Sequence, residues 1–385
     1  MQNPLTALTA EELRQRRSMK WRRHDPDVLP LWIAEMDTPL AEPIADALRQ
    51  ALDRGDTGYA HPGRLPEAFA EFARRHQGWA PDPEHMIVVP DVMRGIEEVL
   101  KLVSEPGDGV LINTPVYPPF FSFVAAADRR VVESPLARAA GGAYSIDLEA
   151  LDRDLARPDV AVYLLCNPHN PTGLTLSRDE LAEISRTAAR HGVRILADEV
   201  HAPLTYPGNL HTPLATVPGE GAQGSIIFVS ASKAWNLAGL KAAVAVAGGD
   251  PGWAALSTLP VEVTYGTGLL GVLAGEAAFT GGDEWLAALM AGLNGNRHLL
   301  ADLLAEHLPG VDYAMPGATY LAWLDFRALD LGDDPAAALL DRGRVALSNG
   351  PAFGELGRGH ARLNLATSPD LLAEAVRRMA AAIEQ

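Results

Sequence analysis

An α/β architecture, with a mostly parallel sheet between layers of helices and a smaller α+β unit beside it, is predicted by three features of this 385-residue chain. From about residue 43, helix-like stretches alternate with short apolar runs, the rhythm of parallel strands covered on both faces. After about residue 280 that rhythm gives way to one long helical stretch, two strand-like runs and a closing helix. Hydrophobic residues make up 48% of the chain and charged residues 21%, enough for a large core at a length where single cores usually divide. We expect a large domain over 43–280 and a small one built from 1–42 and 281–385.

Taken in order, Thr9 and Glu12 have the spacing of a capping box, so a short helix starts near residue 10. The basic residues from Arg14 to Arg23 read as a solvated helix face. PIADALRQALDRG and LPEAFAEFARRHQ carry apolar residues at helical spacing. MIVVP, GVLIN and VAVYLLCNP read as buried strands. RDELAEISRTAARHG is a helix, and VRILADE, SIIFVSAS and AAVAVAG are further strands. EWLAALMAGLNGNRHLLADLLAEHL is the long helix, YLAWLDF and RLNLAT are the late strands, and LLAEAVRRMAAAIE closes the chain.

The formal net charge is −17, a mean field that repels nucleic-acid backbones and anionic membranes, so neither is expected as a partner. Cys166 is the lone cysteine; it excludes an internal disulfide and suits the reducing cytoplasm. No apolar run approaches the ~20 residues of a membrane span, and the first residues hold no apolar stretch of signal-peptide length. The histidines lack zinc spacing and no CxxC occurs, so no metal is expected.

Open parallel sheets collect their sites at the carboxyl ends of the strands. Asn167-Pro168-His169-Asn170-Pro171-Thr172-Gly173 follows one strand, and Pro with Gly stops it in a rigid turn. Asp198-Glu199-Val200-His201 ends the next, and Ser230-Ala231-Ser232-Lys233 a third. A lysine among small residues, beside an acidic strand end, is a candidate amine nucleophile whose pKa falls on desolvation. Singly, each residue has an ordinary reading: a solvated lysine, a capping aspartate, a structural histidine, a turn asparagine. Three strand ends facing one crevice outweigh those readings.

In this order N-P-x-N-P-T-G, D-E-x-H and S-x-S-K resemble the fold type I pyridoxal-phosphate enzymes of the aminotransferase superfamily. LPLWIAEMDTP, DTGYAHPG, MRGIEEVL, EPGDGVLINTPVYPPF, LADEVHAPL, SASKAWNLAGLKAA and HARLNLATSPD resemble in particular its carbon–sulfur lyase branch, the MalY/PatB-type cystathionine β-lyases, from about residue 19 to the end. The resemblance implies a seven-stranded sheet and pyridoxal 5′-phosphate as cofactor. It makes Lys233 the imine lysine, Asp198 the partner of the pyridinium nitrogen, and Asn170 with His201 the donors to the phenolic oxygen. Tyr117 would stack on the ring. The backbone amides of Val92 and Met93, the Ser230 hydroxyl and the Lys241 ammonium would hold the phosphate, a helix start being suited to an anion. Tyr59 would cross from the neighbouring subunit of a homodimer with shared sites. Arg362, with Asn170, would grip the substrate α-carboxylate, while Trp32 and Ala34 line the substrate side. Lys233, Tyr59 and Tyr117 are the expected catalytic set.

The activity so implied is β-elimination of cystathionine or another S-substituted L-cysteine to a thiol, pyruvate and ammonia. Aminotransfer, or decarboxylation coupled to oxidative deamination of an S-conjugated cysteine, stays open on the same scaffold. Three departures from the branch, Glu35 in WIAEMD, Trp235 after the lysine and the apolar stretch 265–271, are expected to reshape the substrate pocket.

Overall fold

The computed structural model describes residues 2–384. Its centre is a seven-stranded sheet formed by β1 (Met86–Val89), β2 (Gly109–Ile112), β3 (Arg130–Glu133), β4 (Val160–Cys166), β5 (Arg194–Asp198), β6 (Ile226–Val229) and β7 (Ala243–Ala247). Their spatial order is β1-β7-β6-β5-β4-β2-β3. β7 is antiparallel to both its neighbours, and the pairs from β6 to β3 are parallel.

Alternation along each strand divides the core between the two faces. Val162, Leu164 and Cys166 join the cluster with Ile96, Leu100, Phe120 and Phe228, while Tyr163 and Leu165 face the cluster with Phe69, Ile184 and Trp235. Helices supply those layers because their ends are well specified. Ser177 and Glu180 form a capping box at the start of Arg178–Arg190. Leu65–Gln77 stops at Gly78, whose φ of +62° suits a residue without a side chain.

A second sheet follows the long helix Asp283–His307. It comprises β8 (Asp312–Tyr313), β9 (Leu321–Asp325), β10 (Ser348–Asn349) and β11 (His360–Asn364), in the order β8-β9-β11-β10. A third cluster, including Leu300, Leu324, Leu363 and Met379, packs beneath it. Leu29–Pro30 pairs in parallel with Val345–Ala346, which ties the N-terminal segment to this later part of the chain.

Three details differ from the sequence reading. β3 has charged residues at both ends and lies at the sheet edge, so it lacks the continuous apolar signature of its neighbours. Residues Leu269–Gly281 form a helix, part of which had been read as pocket lining. Its glycines permit close packing: a Cβ on Gly271 would lie 2.3 Å from the Leu240 carbonyl oxygen. Finally, Lys20 is not on a solvated face. It is fully buried, and its ammonium lies 2.7 Å from the Asp37 carboxylate and 3.1 Å from the Glu35 carbonyl oxygen.

Candidate active site

Several strand ends meet at one edge of the large sheet. After β1, Asp91 caps helix Val92–Val103 by accepting a hydrogen bond from the Arg94 amide at 2.8 Å. The leading amides of a helix have no partner within it. Here Val92 and Met93 line a cavity of about 240 Å³ together with Tyr117, Asp198, Ser232, Lys233 and Lys241.

Each wall follows from a strand stop. The turn after β4 contains cis Asn167–Pro168 and Asn170–Pro171 peptide bonds. Gly173 closes it at φ +70°, where a Cβ would lie 2.3 Å from the Pro316 Cβ. His169 links this turn to the end of β2, its ring nitrogens lying 3.1 Å from the Thr172 hydroxyl and 3.2 Å from the Asn113 carbonyl oxygen. Asp198 is the last residue of β5, paired in register with Cys166 and Phe228.

Burial dominates the electrostatics. It pushes the Asp198 carboxyl up to about 6, although the Val200 amide and Lys233 oppose the rise. It brings the Lys233 amine down to about 8, with Arg362 adding to the fall and Asp198 and Glu35 resisting it. The amine's hydrogen bond is a long one, 3.4 Å to the Ala34 carbonyl oxygen. Burial, then Lys233 and Arg362, holds His201 well below its ordinary value. The imidazole is therefore neutral at pH 7, and its buried Nδ1 has no hydrogen-bond partner. Burial likewise raises the Tyr117 phenol.

Arg362 lies on β11, fully enclosed. One terminal nitrogen donates to Asn170 Oδ1 at 2.9 Å. The other donates to the Trp32 carbonyl oxygen at 3.1 Å and the Ser348 hydroxyl at 3.0 Å. The guanidinium sits 5.0 Å from the Phe353 ring centroid. Burial lowers its pKa to about 10, so it stays cationic at neutral pH. Among the described residues no carboxylate pairs with it. A buried cation with only neutral partners is expensive unless an anion arrives.

The structure thus gathers Lys233, Asp198, Tyr117, Val92, Met93 and Lys241 around one cavity. Trp32, Tyr117 and Arg362 share a second, adjoining one. Asn170 touches Arg362, while Ala34 contributes its carbonyl group to Lys233 rather than a side chain to the pocket. Lys241 spends its ammonium on Asp91 at 3.0 Å.

Other placements depart from expectation. The Ser230 hydroxyl donates to the Ala242 carbonyl oxygen at 2.8 Å and accepts from the Ser232 amide; Ser232 lines the cavity instead. Trp235 does not shape a pocket, because it is fully buried among Phe72 and Phe279 and donates to the Gly282 carbonyl oxygen. Within one chain the 265–271 stretch does not line the Lys233 cavity: Tyr265 is exposed, and Thr267 lines a separate cavity with His61 and Pro62. Tyr59 is 93% exposed and touches neither cavity of its own chain.

Sequence reading missed Tyr320, Ser348 and Asn364. The Tyr320 hydroxyl donates to the Ala34 carbonyl oxygen at 3.1 Å. The Asn364 amide donates to the carbonyl oxygens of Ile33 and Glu35 at 2.7 and 2.6 Å. Asn364 had a legible signal, since it stands two residues after Arg362 on the same face of a strand.

Among the described residues, no group of three His, Cys, Asp or Glu side chains is placed to hold a metal, and no helix is long and apolar enough to cross a membrane.

A seven-stranded sheet with a half-buried lysine, an acidic strand end and a helix N-terminus at one rim defines the fold type I class. The chain belongs to the aminotransferase class I and II family, whose model matches residues 26–379. A protein of Mycobacterium tuberculosis strain H37Rv, itself named only as a candidate cystathionine beta-lyase, is 49% identical over 98% of this chain and 97% of its own length. Cystathionine beta-lyase PatB of Bacillus subtilis is 34% identical over 97% of this chain and 98% of its own. Among solved structures, the PLP-bound C-S lyase of Staphylococcus hominis superposes with a TM-score of 0.89 at 27% identity, covering 96% of each chain.

Proposed function

We propose that this chain is a pyridoxal-phosphate-dependent carbon–sulfur β-lyase acting on S-substituted L-cysteines. The observation that carries the reading is a lysine amine and a buried strand-end carboxylate lining one cavity, which abuts an uncompensated buried arginine. The similarity to the lyases named above supports elimination over aminotransfer.

The residues fit the coenzyme on their own chemistry. His201 Nδ1 is a buried polar atom awaiting a partner, and Asn170, whose oxygen is taken by Arg362, keeps its amide hydrogens for an oxygen of the ring. Val92 and Met93 offer amides at a helix start, which favour a phosphate. Lys241 can turn its ammonium from Asp91 to the same group. A cationic ring nitrogen would draw the Asp198 pKa back down and keep it ionised. When bound, pyridoxal phosphate supplies an aldehyde for the lysine amine and a ring that accepts the electron pair left at the substrate α-carbon.

The chain does the rest. Arg362 and Asn170 would fix the α-carboxylate, and Tyr117, which lines the cavity, would pack against the coenzyme. Lys233, whose amine burial brings down to about 8, would remove the α-proton. The thiolate then leaves the β-carbon. One R–S–CH2–CH(NH2)–COOH and one water give R–SH, pyruvate and ammonia, with no external oxidant or reductant. Exposed Tyr59 completes the site of a second copy, so the working unit is a homodimer. A lone buried cysteine suits the cytoplasm.

The test is incubation with S-substituted cysteines without a 2-oxo acid. Pyruvate and free thiol are expected, together with an imine absorbance band that Lys233→Ala abolishes. A strict requirement for a 2-oxo acid acceptor would make the protein an aminotransferase instead.

A further inference from the structure

A second cavity, of about 470 Å³, opens beside Arg362 and Tyr117, and its wall states what kind of substrate side chain it accepts. Trp32, Pro118, Leu340, Leu347, Ala352 and Phe353 present mostly hydrocarbon, and the polar side chains of Ser348 and Asn349 stand among them. The charged groups on the wall are Arg362 and Asp334. Asp334 already caps helix Pro335–Gly343, its carboxylate accepting from the Ala337 amide at 3.3 Å.

We propose that this groove is the subsite for the sulfur substituent, and that it selects S-alkyl and S-aryl L-cysteines over L-cystathionine. The inference rests on the lyase reading and deepens it. Once Arg362 holds the α-carboxylate, the wall supplied by this chain has no second cation. The distal end of cystathionine carries an ammonium and a carboxylate, and the carboxylate would find no cation on this wall and would face Asp334, which is costly. An alkyl or aryl group gains by the same contact, because each methylene removed from water is favourable by a roughly constant increment.

The experiment is a homologous series, S-methyl to S-hexyl L-cysteine, assayed with the holoenzyme for pyruvate release. kcat/KM is expected to rise about two- to fourfold per methylene, and L-cystathionine to fall below S-butyl-L-cysteine. Ala337 is an exposed part of the wall. Ala337→Glu should flatten the series, whereas Ala337→Leu, which keeps the wall apolar, should preserve its slope. A flat or inverted series, or cystathionine outperforming S-butyl-L-cysteine, overturns the inference.

Two controls separate this from the lyase reading itself. β-Chloro-L-alanine has a leaving group too small to need the groove, so pyruvate from it with a flat series sinks only the subsite. If it yields none, elimination is wrong, and the groove is then judged by calorimetric binding of butanoate, hexanoate and octanoate to the holoenzyme. Those acids should bind about two- to fourfold tighter per methylene; equal affinities overturn the subsite.

Discussion

Replacing Lys233 with methionine should make the coenzyme-free protein more stable, although it destroys the proposed reaction. The side chain loses its charge and keeps an apolar stem one atom shorter. In the folded chain burial brings the amine from 10.5 to about 8, and at about 1.36 kcal/mol per pH unit this costs folding about 3.4 kcal/mol. The sign is fixed by linkage. A lowered lysine pKa is a cost fully present below pH 8 and relieved as pH rises through the unfolded value of 10.5. Two terms reduce the figure. The amine borders a cavity that solvent enters, and removing it pushes Asp198 further up, because Lys233 was holding that carboxyl down. The lost 3.4 Å contact matters little, since the Ala34 carbonyl oxygen keeps the Tyr320 hydroxyl. We expect Lys233→Met to gain about 2 kcal/mol at pH 7 and under about 1 kcal/mol at pH 10. Urea unfolding of both proteins, the wild type first stripped with phenylhydrazine, measures this. An equal or less stable variant at pH 7, or a gain that does not shrink with pH, refutes the argument that burial is the main cause of this amine's low pKa.

Asp198→Asn acts in the opposite pH window. The raised carboxyl is neutral in the fold below about 6, so its charge costs stability only as pH rises from 3.8 through 6; the coenzyme-free variant should match wild type at pH 4 and exceed it at pH 7. With coenzyme the loss of one partner of a buried ion pair, about 3–5 kcal/mol, should weaken its binding by a hundredfold or more, read by absorbance titration. Arg362→Lys keeps the charge but not the fork, and should raise KM about ten- to a hundredfold with a smaller change in kcat. Lys20→Met strands the Asp37 carboxylate, which is 1% exposed. It should cost about 3–5 kcal/mol in urea unfolding, most of it recovered by adding Asp37→Leu.

Much of the sheet was legible because its central strands are unbroken apolar runs, and much of the site because polar residues stop those runs. The rest was hidden for physical reasons. β3 sits at an edge, where charged termini are tolerated. The helix Leu269–Gly281 is apolar on nearly every side and interrupted by glycines, so no periodic stripe marks it as a helix. Lys20 reads as solvent-facing until its partner, 17 residues on, is known.

The segment Trp32–Met36 is the clearest case of information absent from local sequence. Its carbonyl oxygens are taken in succession by side chains from distant parts of the chain. Trp32 receives Arg362, Ile33 receives Asn364, and Ala34 receives Lys233 and Tyr320. Glu35 receives Asn364 and Lys20, and Met36 receives Asn236. A carbonyl oxygen attracts donors whatever side chain stands beside it, so nothing in LWIAEMD announces these contacts. The consequence is functional, because the proposed nucleophilic amine and the proposed carboxylate anchor are both tied to one short stretch of backbone, two residues apart. A substrate that draws Arg362 from the Trp32 carbonyl and frees Lys233 from that of Ala34 disturbs the same peptide units. Asn364, donating to the carbonyl oxygens of Ile33 and Glu35 between and beside them, ties that same stretch to β11, the strand that carries Arg362.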